Sequence, residues 1–206
     1  MKNLQKDYWE SIYNNDELKF PLYDGWLDKY FVILRNATSI IDLGCGNGVD
    51  TIYLSSNNIN TIACDFSEKA LKILKELLPT ANTMCFDMTN PFPFKDQSVE
   101  VVLSDLSLHY FDTNTTKKII NEISRILTVN GSLLCRVNSI CEINKSEIDA
   151  VIEDNYYLID GSTKRFFDKN SIMNFFENWD IKYIDESATE KYRVKKFTWE
   201  IHAIKK

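Results

Sequence analysis

Three glycines at alternate positions, directly behind a short apolar run, are the feature that most constrains how this sequence folds. The run ends in Asp42, and the glycines follow as Gly44, Gly46 and Gly48. An apolar run of this length predicts a buried strand, and glycines behind it permit a tight turn and the close approach of a ligand to the backbone. A nucleotide-like molecule laid across a strand-to-helix turn is the expected occupant.

The charge and spacing of this loop favour one kind of nucleotide ligand over another. A dinucleotide-binding fingerprint has a third glycine where Val49 stands, and its helix faces a pyrophosphate. Asp42 instead brings a negative charge to the turn, which suits a cationic ligand. The pattern D-x-G-x-G-x-G in this setting resembles motif I of the class I S-adenosylmethionine-dependent methyltransferases. For the loop taken alone, a glycine-rich turn without any ligand is the alternative.

Strand-like and helix-like patterns alternate along the chain, which predicts a parallel sheet covered by helices. The predicted strands are Ser39–Leu43, Thr61–Asp65, Thr83–Phe86, Val99–Ser104 and Ser132–Asn138, followed by a closing pair at Asp180–Asp185 and Phe197–Ile204. The predicted helices are Gly25–Arg35, the stretch from Ser67 to Pro79, Thr115–Leu127 and a helix that starts at Asp168. The resemblance implies an α/β fold with a doubly wound, mostly parallel seven-stranded sheet, helices on both faces and an antiparallel last strand, the Rossmann-like methyltransferase fold.

Length and composition narrow the class of protein. A chain of 206 residues predicts a single methyltransferase domain over residues 1–206, in which 1–36 form an N-terminal helical cover and 139–167 an insertion near the acceptor site. No apolar stretch approaches the ~18 residues of a membrane span. Five scattered cysteines predict reduced thiols in a cytoplasmic protein. The net charge of −6 argues against a large nucleic-acid interface.

Two further acids close the next two predicted strands. Asp65 ends the second strand, where one carboxylate can accept hydrogen bonds from both hydroxyls of a ribose. The resemblance implies that Phe66 lies against the adenine face, and that Asp87 and Met88 meet the adenine amino group and a ring nitrogen. A helix cap for Asp65 and a turn for Asp87 are the alternatives. Carboxyl ends of parallel strands share one sheet edge, so Asp42 is expected beside these acids.

The segment after the fourth strand is expected to face the methyl acceptor. The resemblance places Ser104 and Asp105 at the cofactor and Tyr110 at the acceptor, although many small-molecule members carry Asn in place of Asp105. His109 is a candidate general base, because histidine is the side chain best matched to proton removal near neutral pH. The alternative is a buried histidine at the start of a helix. The segment lacks the N-P-P-Y or D-P-P-Y tetrapeptide of methyltransferases that act on amino groups of DNA bases.

Residues of the N-terminal cover and of the insertion complete the candidate site. Tyr8 and Trp9 resemble the segment with which many small methyltransferases cover their cofactor, and packing on the core is the alternative. The insertion supplies candidate acceptor contacts, with Arg165 for an anionic acceptor or as a solvated charge. The candidate cofactor residues are Asp42, Gly44, Cys45, Gly46, Gly48, Asp65, Phe66, Asp87, Met88, Ser104, Asp105, Tyr8 and Trp9. The candidate acceptor residues are Tyr110, Tyr156, Tyr157 and Arg165.

The sequence therefore predicts an enzyme that transfers a methyl group from S-adenosyl-L-methionine to a small molecule and releases S-adenosyl-L-homocysteine. The resemblance is to small single-domain members, the type-11 and tellurite-resistance-like groups. We expect no metal, no nucleic-acid or membrane partner, and a monomer or homodimer. A non-catalytic S-adenosylmethionine-binding module and an NAD-dependent oxidoreductase are the alternatives.

Overall fold

A seven-stranded sheet runs through the centre of the protein, in a computed structural model that describes residues 2–13, 22–189 and 195–206. Its strands, in chain order, are β1 (Ile40–Leu43), β2 (Ile62–Asp65), β3 (Asn82–Cys85), β4 (Val99–Asp105), β5 (Leu127–Asn138), β9 (Trp179–Thr189) and β10 (Lys196–Lys205). The spatial order is β3-β2-β1-β4-β5-β10-β9. Strands β1 to β5 pair in parallel, and β10 lies antiparallel between β5 and β9. The predicted fold class is confirmed.

Helices cover both faces of this sheet. They are α1 (Lys2–Ile12), α2 (Phe31–Asn36), α3 (Val49–Ser56), α4 (Glu68–Leu77), α5 (Thr113–Ile126) and α6 (Lys169–Phe175). Side chains alternate between the two faces of a strand, so β4 sends Val102 into one apolar cluster and Leu103 into another. The first cluster holds the apolar face of α5, and the second holds Leu34 of α2 and Leu54 of α3.

Helix starts follow the capping signals of the sequence. Ser67 caps α4 by accepting from the Ala70 N–H, and Asp168 caps α6 in a reciprocal capping box with Ser171. The helix predicted over Gly25–Arg35 is shorter than expected. It begins as a 3₁₀ turn at Asp28–Tyr30 and continues as α2, because Gly25 has a φ of +83°, a left-handed conformation that a helix cannot include.

The predicted insertion contains a sheet of its own. Strands β6 (Ala150–Glu153), β7 (Tyr156–Ile159) and β8 (Ser162–Arg165) form an antiparallel meander in the order β6-β7-β8. The meander follows β5 in the chain and lies beside the Leu108–Tyr110 turn and α1, as the contacts below show. In the described ranges, no helix is long and apolar enough to cross a membrane.

Candidate functional site

The glycine loop connects β1 to α3 through three residues of left-handed conformation. The φ angles of Gly44, Gly46 and Gly48 are +75°, +55° and +87°. The loop is held against the end of β2, because the N–H groups of Gly44 and Cys45 both donate to the Cys64 carbonyl, at 2.7 and 3.0 Å. Residues other than glycine rarely adopt such φ values, so this turn requires glycine at all three positions.

The three glycines differ in what surrounds them. A Cβ on Gly44 would lie 2.4 Å from Cβ of Ser107, and one on Gly48 would lie 2.3 Å from Leu74. Packing alone therefore explains these two glycines. Among the described residues, a Cβ on Gly46 would meet only Tyr13, at 2.7 Å from its hydroxyl and 3.7 Å from Cζ. The bare backbone of Gly46 thus lies against the far end of one side chain, directly beyond α1, and not against fixed packing.

Asp42 and Asp65 lie at the two sides of this loop, and both are buried. The Thr51 hydroxyl of α3 donates to Asp42 at 2.8 Å. Asp65 accepts from the N–H of Gly46 and from that of Ser67, both at 2.9 Å. Burial raises the pKa of Asp65, against the lowering effect of these N–H donors. Its carboxylate therefore ties the glycine loop to the start of α4, and it keeps lone pairs for further donors.

The thiol of Cys45 in the glycine loop is unreactive. Burial raises the pKa of the Cys45 thiol well above its usual value, and the charges of Asp42 and Asp65 raise it further. A protonated thiol is a poor nucleophile. Cys45 therefore contributes its backbone to the loop, and no reactive sulfur.

The segment after β3 reaches the same loop. The Met88 methyl group would lie 3.2 Å from a Cβ on Gly44, so the structure brings Met88 to the glycine loop. Asp87 accepts from the Thr89 N–H at 2.8 Å, which is the turn contact considered as its alternative role. Phe66, directly after Asp65, is half-buried. The ends of β1, β2 and β3 thus converge as the sequence predicts.

A serine pair joins the end of β4 to the end of β1. The Ser107 hydroxyl donates to the Leu43 carbonyl at 2.8 Å, and the hydroxyls of Ser104 and Ser107 are 2.6 Å apart. Between them, the buried Leu106 has a φ of +54°. A non-glycine residue in this conformation is strained, and such strain is concentrated at functional sites.

Asp105 belongs to a buried network of charges. Arg136 on β5 donates to Asp105 from Nε and Nη2, and to Asp24 from Nη1 at 2.6 Å. The Thr189 hydroxyl at the end of β9 also donates to Asp24. Burial acts to raise the pKa of Asp24, but the hydrogen bond and charge of Arg136 outweigh it and lower that pKa. The network fixes Asp105 and links β4 to the segment that precedes α2.

His109 is the most unusual side chain of the site. It lies in the 3₁₀ turn Leu108–Tyr110, it has no solvent exposure, and neither ring nitrogen has a hydrogen-bond partner among the described residues. Burial lowers its pKa well below the usual value, and the positive charges of Lys196 and Lys164 lower it further, against Asp105. The imidazole is therefore neutral at pH 7 and keeps one nitrogen able to accept a proton.

The aromatic residues of α1 cover this turn and the glycine loop. The Trp9 ring stacks on the Tyr13 ring, with centroids 5.7 Å apart, and meets the Tyr110 ring edge-on at 5.3 Å. Tyr8 contacts Trp9 edge-on. The structure thus brings Trp9 and Tyr110 together, and it adds Tyr13. Tyr13 was not among the residues predicted from the sequence, although its helical spacing of four residues from Trp9 was a signal.

The inserted sheet fixes the backbone of the His109 turn. The hydroxyls of Tyr156 and Thr163 both donate to the Tyr110 carbonyl, at 3.2 and 3.0 Å, and Arg165 Nε donates to the Phe111 carbonyl at 3.0 Å. Arg165 also forms an ion pair with Glu153. Its buried guanidinium is therefore neither a solvated charge nor a free anion site.

The other candidate acceptor residues of the insertion differ in their setting. Tyr157 lies half-buried beside the Phe166 ring, at 6.0 Å between centroids. Tyr156 is buried, and the Arg165 guanidinium lies 4.9 Å from its ring centroid. Tyr156 and Arg165 thus position the turn. Arg136 and Thr163 are site residues that the sequence analysis missed, because neither belongs to a local motif.

The residues present suit a cofactor with an adenosine and an amino-acid part. Left-handed glycines form a cradle that a Cβ on Gly46 would fill, beside the buried carboxylate of Asp65. A carboxylate at the end of β2 accepts ribose hydroxyls in either cofactor, whereas Asp42 at the turn would repel a diphosphate. The arrangement therefore fits S-adenosylmethionine better than NAD.

Comparison with known proteins agrees with this geometry. Residues 41–135 match the family described as "Methyltransferase domain". The chain is 32% identical over 118 residues to the human mitochondrial arginine-hydroxylase NDUFAF5, covering 56% of this chain and 33% of that protein. It is 25% identical over 170 residues to the chicken tRNA N(3)-cytidine methyltransferase METTL2, covering 75% of this chain and 46% of that protein. The chain therefore spans less than half the length of either relative.

A solved structure shows the same fold over most of the chain. The S-adenosylmethionine-dependent methyltransferase from Methanosarcina mazei superposes with a TM-score of 0.77 at 16% identity, covering 90% of this chain and 99% of that one. At this identity the likeness concerns the fold alone. The matched domain over residues 41–135 together with this shared fold supports a class I S-adenosylmethionine-dependent methyltransferase, with S-adenosylmethionine as the cofactor.

Proposed function

We propose that this chain transfers the methyl group of S-adenosylmethionine to a small-molecule acceptor. The cofactor supplies an activated methyl group on its sulfonium, so the protein has to align the acceptor and exclude water. The observation that carries the proposal is His109, a fully buried imidazole without a partner in the described ranges, directly beyond β4. A buried polar group without a partner is costly, and an acceptor hydroxyl, amine or thiol would provide one.

We assign the cofactor to the residues around the glycine loop. Gly46 leaves room for it at the backbone, and Asp65 accepts from the ribose hydroxyls while it keeps its two N–H donors. Phe66, Asp87 and Met88 take the adenine side, in keeping with the position of Met88 at the loop. Trp9 and Tyr13 cover the site from α1 and keep water out.

We assign the role of general base to His109. When the acceptor is methylated, a ring nitrogen of His109 would take the proton that the acceptor loses, and the imidazole would become an imidazolium. The hydrogen bonds from Tyr156, Thr163 and Arg165 to the Tyr110 and Phe111 carbonyls hold the turn that carries His109. A fixed turn keeps the base in one orientation, on which proximity catalysis depends.

A small acceptor agrees with the surface charge and with the covered site. The net charge of −6 opposes the approach of a polyanion, and the inserted sheet and α1 meet across Tyr110. METTL2 is named for an action on tRNA, which makes tRNA the acceptor to test against. We further propose that residues 1–206 act as one domain, with 1–36 as the cover and 139–167 as the acceptor-side insertion.

The test measures cofactor binding and methyl transfer separately. Calorimetry with S-adenosylhomocysteine and with NAD should show binding of the former only. Tritium from the labelled methyl group should then appear in a small-molecule extract, with tRNA and protein fractions incubated in parallel. Label in tRNA or protein would overturn the small-molecule acceptor. Binding without label in any fraction would favour a non-catalytic module, and binding of NAD alone would favour an oxidoreductase.

A further inference from the structure

A polar cavity of about 550 Å³ lies between residues 22–29 and strands β5, β9 and β10. The polar and aromatic side chains of its walls include Asp24, Trp26, Lys29, Arg136, Thr198 and Glu200. A cavity of this volume is in the range of small-molecule sites. None of the described residues that line it belongs to the set that we assign to the cofactor. The cavity therefore has room for a second molecule.

Hydrogen bonds join the walls of this cavity to the cofactor side of the protein. Arg136 donates to Asp105, which ends β4 two residues before Ser107 at the glycine loop. Trp26 Nε1 donates to Asp50 at 3.0 Å, in the first turn of the helix that follows the loop. The cavity thus adjoins the end of β4 and the start of α3, next to the glycine loop that we assign to the cofactor.

Two carboxylates line the cavity, and each is engaged through only one of its oxygens. Asp24 Oδ2 accepts from Arg136 at 2.6 Å and from the Thr189 hydroxyl at 2.5 Å. Glu200 Oε1 accepts from the Tyr30 hydroxyl at 2.6 Å and from the neighbouring lysine at 3.0 Å. The other two oxygens, Oδ1 and Oε2, have no donor among the described residues. Each can therefore accept a hydrogen bond from a ligand.

Both cations that line the cavity are already paired with carboxylates. Nε and Nη2 of Arg136 donate to Asp105, and Nη1 donates to Asp24. Lys29 Nζ forms an ion pair with Glu200 at 3.0 Å. Each cation is thus held by a carboxylate, whereas each carboxylate of the cavity wall keeps an open oxygen. The cavity therefore suits a positively charged donor better than an anion.

A further acceptor on the same face of the sheet lacks a donor. Asn138 lies two residues beyond Arg136 on β5 and opposite Thr198 of β10, so these three side chains share one face. Asn138 is 2% exposed, and its Oδ1 has no hydrogen-bond partner within the described part of the chain. A buried oxygen without a donor is costly, and a donor brought by a ligand would offset that cost.

We propose that this cavity holds the ammonium group of the methyl acceptor, an amine-bearing small molecule, against the open oxygens of Asp24 and Glu200. This inference rests on the proposed function, because it takes the occupant to be the methyl acceptor. An ammonium carries a positive charge and three N–H donors, which match a set of open acceptor oxygens. Trp26 and Tyr23 add aromatic walls for the carbon part of the molecule. An organic cation is favoured over a metal ion, since no group of three His, Cys, Asp or Glu in the described ranges could hold a metal.

The test uses three probes of similar shape and different charge. Phenethylamine carries an ammonium at pH 7, phenethyl alcohol is neutral and phenylacetate is an anion. Nitrogen-labelled protein saturated with S-adenosylhomocysteine is titrated with each probe. NMR follows the indole N–H of Trp26, which a Trp26→Phe variant assigns among the four tryptophans. The amine should shift this signal in a saturable way and bind at least about tenfold more tightly than the other two probes.

Variants of the cavity wall test whether the carboxylates are the cause. Asp24→Asn and Glu200→Gln should each weaken binding of phenethylamine about tenfold or more, the loss of one charge-assisted contact. Asp180→Asn is the matched control, because it removes the same charge from an exposed ion pair with Lys182 and should leave the affinity unchanged. Ser187 is exposed and lines the cavity, so Ser187→Leu should weaken amine binding without loss of a buried contact, even if Asp24→Asn perturbs folding.

The outcomes separate this inference from the proposed function. No saturable shift with the amine, equal binding of the three probes, or an affinity that Asp24→Asn, Glu200→Gln and Ser187→Leu leave unchanged would overturn the amine site. Binding of the amine that S-adenosylhomocysteine abolishes would also overturn it, because the cavity would then hold the amino group of the cofactor. In each case binding of S-adenosylhomocysteine keeps the methyltransferase assignment, whereas its failure to bind the unmodified protein would remove the proposed function.

Discussion

Arg136 Nε lies 2.6 Å from one carboxylate oxygen of Asp105, and Arg136 Nη2 lies 2.9 Å from the other. The pair is buried, so removal of the guanidinium leaves two carboxylates, Asp105 and Asp24, without their cation. We expect Arg136→Met to lower the free energy of unfolding by about 3–5 kcal/mol. Urea denaturation measures the loss. The exposed ion pair of Lys182 with Asp180 provides the control, since Lys182→Met should cost about 0–1 kcal/mol.

The other carboxylate held by Arg136, that of Asp24, predicts a pH dependence of stability. Because the folded pKa of Asp24 is lowered, its contribution is complete above the unfolded value of about 3.9 and is lost as the pH falls through the folded pKa. The stability difference between the unmodified protein and Arg136→Met should therefore shrink below about pH 4. A difference that stays constant down to acid unfolding would contradict an ionic origin.

Gly46→Ala should weaken binding of S-adenosylhomocysteine about tenfold or more. Its Cβ would enter the cradle beneath α1, and overpacking of this kind costs about 1–3 kcal/mol. Gly161→Ala is the control, because Gly161 is also left-handed, with a φ of +73°, but its Cβ would have no neighbour within 4 Å. Calorimetry on both variants separates backbone strain from lost space. Equal affinities in the two variants would remove the loop from the cofactor site.

Asp65→Ala should weaken cofactor binding by about 2–3 kcal/mol, the scale of lost hydrogen bonds to a charged group. Since the pKa of Asp65 is raised by burial, affinity for S-adenosylhomocysteine should decline as the pH falls, with a midpoint above the usual 3.8. Asp65→Asn removes the charge with little change of shape and should abolish that pH dependence. Calorimetry between pH 4 and pH 7 measures both effects. An unchanged affinity in Asp65→Ala would leave Asp65 with a capping role only.

His109→Gln should lower turnover by roughly 10²–10⁴-fold and leave binding of S-adenosylhomocysteine intact. Because the pKa of His109 is below its usual 6.5, the acid limb of the rate profile should lie below that pH and be absent from the variant. Steady-state rates at several pH values measure this. His202→Gln is the control and should keep the limb. A variant that retains the limb would remove His109 from the proton transfer.

Burial of a neutral His109 also affects stability. In the unfolded chain His109 takes up a proton near pH 6.5, whereas in the folded chain it does so only at lower pH. The unfolded state therefore binds more protons between these two pKa values, and stability falls as the pH is lowered through this window. His109→Gln should lose less stability between pH 7 and pH 5 than the unmodified protein, as measured by thermal unfolding in buffers of equal ionic strength.

Local chemistry explains why much of the fold was predictable from the sequence. Strand β1 begins at Ile40, one residue from its predicted start, and the helix starts predicted at Ser67 and Asp168 are confirmed, where both residues cap their helices. These features depend on neighbouring residues only. The acids meet at one edge of the sheet because the strands that they end run parallel. The glycine loop with Asp42 and Asp65 was predictable for that reason.

The acceptor side was less predictable, because its contacts join distant parts of the chain. Arg136 meets Asp24 across 112 positions, and Thr163 meets Tyr110 across 53. The hairpin between β7 and β8 of the inserted sheet did have a local sequence signal, which was not among the predicted features. Asp160-Gly161 is a hairpin dipeptide, and both residues have positive φ values, +50° and +73°. A hairpin was therefore readable at this point, but its docking on the His109 turn was not.

The place of β10 between β5 and β9 sets the order in which the two halves of the site can assemble. The glycine loop and Asp65 need only the strands near residues 40–105, whereas the inserted sheet that holds the His109 turn follows β5 and β10 is the last strand of the chain. During synthesis the cofactor cradle can thus form on the emerging chain well before the proposed acceptor site exists. A nascent chain of this protein would hold its methyl donor with nothing yet bound to receive the methyl group.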